Sequence, residues 1–337
     1  MKKSALSTRT LFPKRRLWLL PITIIVVSVI LLSIVGQFTP VLAAWIFKQA
    51  IDSTTFTPPP NFDAIQENIV IKKEIVYDDH GTRLDIYYPR NVESPLPVIM
   101  WIHGGGFIGA SKEQTQVYTM TLANAGYVVA NINYDLAPAH KYPAPVIQDN
   151  EALQYLRQNV GQYGGDINRL FLGSNSSGSQ IASQLAALIS NKEFSARMGI
   201  QPSVMNEQLR GVLLYDGAYD MWTLRATGAP GMDLFLWSYT GVRHFESYDR
   251  IDELSIVNHV TPDYPSVFVT VGDADALESQ SLEFIKVLQK NNVEVEAVLF
   301  TGTHANLEHD YMMDLDTEPA QQTLVKALDF LETHSGP

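Results

Sequence analysis

The chain has 337 residues, 46% of them hydrophobic, and no cysteine; a substantial core is within reach, while disulfides, a thiolate zinc site and a cysteine nucleophile are excluded. The formal net charge is −12, but six of the 24 Lys/Arg residues lie in residues 1–16 beside no acid, which leaves 18 basic residues against 36 acidic ones, a net of −18, for the rest. Such a body repels nucleic acid and anionic head groups, so neither is expected as a partner.

The basic leader, residues 1–16, is followed by "LWLLPITIIVVSVILLSIVGQFTPVLAAWIF", with no charged residue from Leu17 to Phe47. A membrane-spanning helix needs about 20 apolar residues, and residues 17–36 supply it, with Pro21 tolerated in the first turn. The positive charge ahead of this run orients the N-terminus in the cytosol and the body outside. "VLA" (41–43) would suit a signal peptidase and a secreted product, but the apolar run is longer than an ordinary signal-peptide core. A retained single-pass anchor in the lipid bilayer is therefore expected. Residues 37–62 read as a juxtamembrane segment: "LAAWIFKQAI" could lie in the interface through Trp45 and Phe47, and the proline-rich "STTFTPPPNF" (53–62) reads as a stiff spacer.

The body, residues 63–337, alternates strand-like and helix-like runs. "IVIKKEIVY" (69–77) and "RLDIYYP" (83–89), split by "DDHGT", form an expected antiparallel hairpin. "PVIMWI" (97–102), "YVVANINY" (127–134), "RLFLG" (169–173), "GVLLYDG" (211–217), "SVFVTVG" (266–272) and "VEVEAVLF" (293–300) are further strands. Helical patterns cover 112–125, 145–160, 177–191, 277–291 and 319–333. Apolar strands separated by helices point to parallel crossover units, hence an α/β fold with one mostly parallel eight-stranded sheet and helices on both faces. Residues 218–262 are aromatic-rich and fit no simple period, so a small cap over the carboxyl ends of the strands is expected there.

Three features could carry chemistry. "WIHGGGF" (101–107) follows a strong strand, and its three glycines are expected where backbone N–H groups must come close to a ligand, as in an oxyanion-binding loop. "SNSSG" (174–178) lies between a strand and a helix, the setting of a nucleophile elbow, although the usual pattern there is G-x-S-x-G. A serine nucleophile needs a histidine base and a carboxylate to orient it. Asp273 and Asp275 follow the strand "SVFVTVG", and His304 and His309 follow the last strand, so candidates for all three roles occur in the order Ser, Asp, His. No histidine cluster has metal-ligand spacing, so no metal and no cofactor are implied.

"HGGGF", "INYDLAPAHKYPAPVIQD" (132–149), "RLFLGSNSSGSQIASQLA" (169–186) and "VGDADAL" (271–277) resemble, in order and spacing, the HGGG-type esterases and lipases of the α/β-hydrolase superfamily, in the hormone-sensitive-lipase-like and acyl-esterase branch. The likeness runs over residues 69–335. "LEHDYMMDLDTE" (307–318) is similar to a segment of a membrane-anchored bacterial subgroup. The resemblance implies an α/β-hydrolase fold and hydrolysis of small-molecule carboxylic esters through an acyl-enzyme.

It also implies the site residues. Ser176 falls on the elbow serine, with Ser174 in place of the first elbow glycine and Gly178 as the second. The pattern G-x-x-D-x-L lands on Gly272, Asp275 and Leu277, which makes Asp275 the expected acid and Asp273 its alternative. The subgroup resemblance favours His309 as base, with Tyr311 packing behind it, whereas His304 has the spacing common in the broader family. The N–H groups of Gly105, Gly106 and Ser177 would form the oxyanion hole, and His103 would shape the loop. Two rival functions stand beside this one: an amidase or peptidase on the same fold, and a catalytically dead ligand-binding protein suggested by Ser174. Candidates for all three catalytic roles speak against the second.

Overall fold

A computed structural model describes residues 21–22, 25–26 and 35–336. The basic leader 1–16 and most of the apolar run 17–36 lie outside the described residues. No helix among the described residues is long and apolar enough to cross a membrane.

In chain order the elements are α1 (Val41–Asp52), α2 (Phe62–Asn68), β1 (Ile69–Val76), β2 (Arg83–Pro89), β3 (Leu96–Ile102), α3 (Lys112–Asn124), β4 (Val128–Ile132), α4 (Ala144–Asn159), β5 (Gly165–Asn175), α5 (Ser177–Ser190), α6 (Lys192–Met198), β6 (Leu209–Tyr215), α7 (Met221–Leu224), α8 (Met232–Thr240), α9 (Ile251–Leu254), β7 (Ser266–Val271), α10 (Glu278–Lys290), β8 (Val295–Leu299) and α11 (Glu318–His334), with short 3-10 turns between them. The described residues hold one eight-stranded sheet in the order β1-β2-β4-β3-β5-β6-β7-β8. β1, β2 and β4 pair antiparallel, and the rest of the sheet is parallel.

The strand sequences dictate this arrangement. β3 and β4 are buried almost throughout, as strands covered on both faces must be. Side chains alternate across β3: Val98, Met100 and Ile102 join the core under α4, α5 and α10, whereas Ile99 and Trp101 join a second core with Tyr118 of α3 and Phe330 of α11. β5 is longer than its apolar run suggests, because it begins at Gly165, where Leu96 and Pro97 pair with it.

Residues 37–62 do more than span a gap. They contain α1 and end at the first residue of α2, and the proline-rich stretch is tied to the body. Asp52 accepts the Ala110 N–H at 2.9 Å, Gln114 donates to the carbonyls of Ile51 and Thr54, and the Thr57 N–H donates to Asp314 at 2.8 Å. The sequence reading as a spacer misses this, because prolines signal a stiff chain without showing where it docks.

Residues 218–262 hold α7, α8 and α9. Phe107, from the glycine loop, stacks on Tyr239 of α8 with ring centroids 4.0 Å apart.

Candidate active site

The carboxyl ends of the parallel strands converge on Ser176. This residue links β5 to α5 with φ 52 and ψ −125, a backbone conformation that non-glycine residues adopt only when the surroundings impose it. The Ser176 N–H donates to the Tyr215 carbonyl at 2.8 Å and so holds the turn against β6. Gly178 is required one step on: a Cβ there would stand 2.3 Å from the carbonyl oxygen of Ile102. Ser174, in place of the first elbow glycine, is fully buried at the end of β5. Its hydroxyl donates to the Leu213 carbonyl at 3.0 Å and lies 3.1 Å from the Ser179 hydroxyl. The departure from the usual pattern therefore has a structural account, since the serine hydroxyl is satisfied between β5, β6 and α5.

His309 is brought to this turn by the loop after β8. Its Nε2 lies 2.8 Å from Ser176 Oγ and its Nδ1 lies 2.8 Å from Asp275 Oδ2. Tyr311 anchors the loop: its ring is buried, and its hydroxyl lies 2.6 Å from Thr270 Oγ1 and 2.8 Å from Thr323 Oγ1. His304 is exposed and makes none of the contacts of His309. Of the two carboxylates after β7, Asp275 is buried and its other oxygen accepts the Leu277 N–H at 2.8 Å. Asp273 accepts the Leu307 N–H at 2.7 Å and so shapes the histidine loop from outside.

Burial raises the pKa of Asp275, but the hydrogen bond and charge of His309 outweigh it and hold the carboxyl below its ordinary value. For His309, burial works downward, and the charge of Asp310 with the hydrogen bond and charge of Asp275 overcome it and raise the imidazole above its ordinary value.

The "HGGGF" loop curls over the elbow. Gly105 has φ 102, and a Cβ there would meet the Gly109 carbonyl oxygen at 2.2 Å, so the turn excludes any side chain. The Gly104 N–H donates to Asn175 Oδ1 at 3.1 Å, and the Phe107 N–H donates to the Ser177 hydroxyl at 3.2 Å. Among the described residues, no protein acceptor takes the N–H of Gly105, Gly106 or Ser177. His103 is buried with its Nδ1 2.8 Å from the Gly104 carbonyl and its ring stacked on Tyr134. Burial pushes its pKa down to about 4, so it is a neutral support of the loop.

Two cavities meet at Ser176. One, of 480 Å³, is lined by apolar side chains that include Phe107, Met221, Leu224, Phe235 and Leu277. The other, of 320 Å³, lies across the glycine loop and is walled by Ile51, Thr54, Phe56, Gln114 and Asn175. The first wall comes largely from the cap segment, the second from the end of α1 and the stretch after it.

Sequence reasoning missed three polar residues of the site. Asn175 bridges two loops, accepting from Gly104 and donating to Asp310 at 2.9 Å. Asp310 follows His309 in a left-handed conformation, φ 62. Asp216, fully buried after β6, accepts the Asp310 N–H at 2.7 Å. Of these, Asn175 and Asp310 flank residues already singled out, but Asp216 has no motif around it. Asp216, Asp275 and His309 offer potential ligand atoms within 4.8 Å of one another. Both nitrogens of His309 are already engaged with Ser176 and Asp275, which leaves no free ring lone pair for a cation.

Several of the known proteins this chain resembles are esterases by name. It is 26% identical over 246 residues to isoprenylcysteine alpha-carbonyl methylesterase ICME of Arabidopsis thaliana, covering 70% of this chain and 57% of that protein. It is 25% identical over 242 residues to Esterase LipC of Mycobacterium tuberculosis, covering 69% of this chain and 59% of that protein. The chain thus spans less than three fifths of the length of both relatives. Among solved structures, esterase B from Lactobacillus rhamnosis superposes with a TM-score of 0.73 at 21% identity, over 91% of this chain and 96% of that one. A bacterial heroin esterase gives 0.66 at 20% identity, over 88% and 91%. These likenesses show the α/β-hydrolase fold. The BD-FAE family pattern matches residues 84–288, more than half of the sequence, and the chain belongs to the BD-FAE family.

Proposed function

We propose that this protein is a serine hydrolase of small-molecule carboxylic esters, working through an acyl-enzyme, with Ser176 as nucleophile, His309 as general base and Asp275 as its orienting acid. The observation that carries the reading is the continuous hydrogen-bonded line from Asp275 through His309 to Ser176, with both links 2.8 Å long. The esterase names of the relatives support the substrate class, and the "HGGGF" loop supports the HGGG-type branch.

In the first half-reaction, His309 Nε2 takes the Ser176 proton as Oγ attacks the ester carbonyl carbon. The oxyanion that forms is stabilised by the N–H groups of Gly105, Gly106 and Ser177, each worth about 10²–10³ in rate in such sites. His309 then hands the proton to the departing alkoxide, and the alcohol leaves with the acyl group on Ser176. Water repeats the sequence and releases the acid. Asp275 keeps Nδ1 of His309 protonated, so that Nε2 is the basic nitrogen throughout. We read residues 17–36 as a single retained anchor that holds this body on the outer face of a membrane, with residues 1–16 in the cytosol.

The test is labelling of the full chain by a fluorophosphonate probe, together with hydrolysis of a short-chain p-nitrophenyl ester. Ser176→Ala should abolish both. Ser177→Ala should keep the label and stay within about tenfold of the wild-type rate, because it loses one neutral hydrogen bond to the glycine loop. A labelled Ser176→Ala beside an unlabelled Ser177→Ala would overturn the assignment.

A further inference from the structure

Asp216 is a buried carboxyl group that the reaction just described does not use. It follows β6 directly with φ 50, and its N–H donates to the Thr270 carbonyl of β7 at 3.1 Å, so the backbone is pinned between two strand ends. Oδ2 accepts the Asp310 N–H at 2.7 Å, whereas Oδ1 is buried without a hydrogen-bond partner among the described residues. The groups facing it are Asp275 from the loop after β7 and His309 and Asp310 from the loop after β8, with Tyr215 and Tyr219 on its own side and Tyr311 behind. One carboxylate oxygen of Asp216, one of Asp275 and a ring nitrogen of His309 lie within 4.8 Å of one another.

Two fully charged carboxylates cannot share so small a buried volume, and one of them must keep its proton. Asp275 is the one stabilised as an anion, by the His309 Nδ1–H and the Leu277 N–H. Asp216 has a single backbone donor, and its other oxygen has no hydrogen-bond partner among the described residues.

From this we propose that Asp216 is a positioning residue: a neutral carboxylic acid that holds the His309–Asp310 peptide through one oxygen and presents an O–H toward Asp275 from the other. The inference rests on the catalytic reading of Ser176, Asp275 and His309. Asp310, in its left-handed conformation directly after the base, sets where the imidazole stands, and the Asp216 bond to its N–H fixes that conformation. The O–H, by donating to Asp275, keeps the acid ionised and aimed at Nδ1. Burial raises the pKa of Asp216 well above the ordinary carboxyl value, in agreement with the geometry.

The experiment compares Asp216→Asn with Asp216→Ala in the full chain. Asparagine reproduces a neutral acid, an acceptor for Asp310 and a donor for Asp275. It should keep kcat/KM within about threefold, with the acid limb of the pH profile unmoved, while alanine lowers kcat by about 10–100-fold at unchanged KM, as loss of an outer supporting partner does. An acid limb that moves to lower pH by a unit or more in Asp216→Asn would show that Asp216 was an anion raising the base, and the proposal would fail. It fails equally if alanine leaves kcat intact. Infrared difference spectra of wild type minus Asp216→Asn give a readout independent of turnover: the carbonyl stretch of a protonated carboxyl group should appear at neutral pH. A carboxylate band in its place refutes the proposal even if the protein hydrolyses no ester. Loss of all activity and labelling in Ser176→Ala, together with unchanged Asp216 variants, would leave the catalytic reading standing and remove only this one.

Discussion

Two places in this molecule gather three carboxyl groups around one basic side chain, and they are built to opposite ends. At the antiparallel edge of the sheet, Lys112 is almost wholly buried, with its Nζ 2.6 Å from Glu74, 2.6 Å from Glu113 and 3.0 Å from Asp85. Burial alone would lower the lysine pKa, but these acids more than offset it and keep the ammonium charged. At the carboxyl end of the parallel strands, His309 stands among Asp275, Asp310 and Asp216, hydrogen-bonds only Asp275 of these, through Nδ1, meets Ser176 through Nε2, and has a side chain that is 40% exposed. The first cluster satisfies a permanent charge from all sides and has nothing left to give. The second holds a proton that can move, because one face of the base is open to the cavity. The difference lies less in the number of acids than in whether the base is enclosed.

The largest expected effect falls on the open cluster. His309→Ala should lower turnover of a short-chain ester by about four powers of ten, because only oxyanion stabilisation and binding remain. His304→Ala, on the exposed loop, should change kinetics only slightly. The carboxylates around His309 raise its pKa, and the reaction needs the neutral ring. The wild-type rate should therefore fall as pH drops, with a midpoint above the ordinary histidine value. Assay of both alanine variants across pH decides it: an inactive His304→Ala beside an active His309→Ala would reverse the roles of the two residues.

Lys112→Met addresses the enclosed cluster and should do the reverse. It leaves Asp85, which is buried and also accepts from Tyr87 and the Glu74 N–H, without its counter-charge. Removing one partner of a buried ion pair costs about 3–5 kcal/mol. Chemical denaturation should show a loss of that order, while the rate per folded molecule stays that of wild type. A catalytic defect without a loss of stability would mean that the two clusters are not separate in role.

The sequence exposed the two clusters unequally. Runs such as "PVIMWI" and "SVFVTVG" are strands covered on both faces, and their alternation with helical patterns led to the eight-stranded sheet. The "SNSSG" and "HGGGF" segments carry local signals, whereas Asp275 and His309 are singled out by the resemblance, beside Asp273 and His304, before the fold brings Ser176, Asp275 and His309 within hydrogen-bonding distance. Lys112 reads in the sequence as one more charged residue at a helix start beside Glu113, and its other two acids come from β1 and β2, 38 residues away in the case of Glu74. Asp216 and Asp310 are 94 residues apart. Pairings of that range have no period and no motif, so they emerge only when strand order is known. The docking of residues 53–62 escaped for the same reason.

Ser174 tests the comparison where position and role part company. It lies two residues from Ser176, inside the site by distance, yet its hydroxyl contacts only the Leu213 carbonyl and Ser179, and no titratable group. If enclosure decides role, Ser174 belongs with Lys112 rather than with His309. Ser174→Gly restores the usual elbow glycine and removes the hydroxyl that links β5 to β6. The lost hydrogen bond and the freer backbone should together lower stability by about 1–2 kcal/mol, with turnover held within about threefold because the Ser176 turn is still set by Tyr215 and Gly178. Denaturation midpoints and kcat on the same preparation separate the two effects. A large fall in kcat with the midpoint unchanged would give the Ser174 hydroxyl a part in the chemistry, and closeness to the nucleophile would then outweigh enclosure.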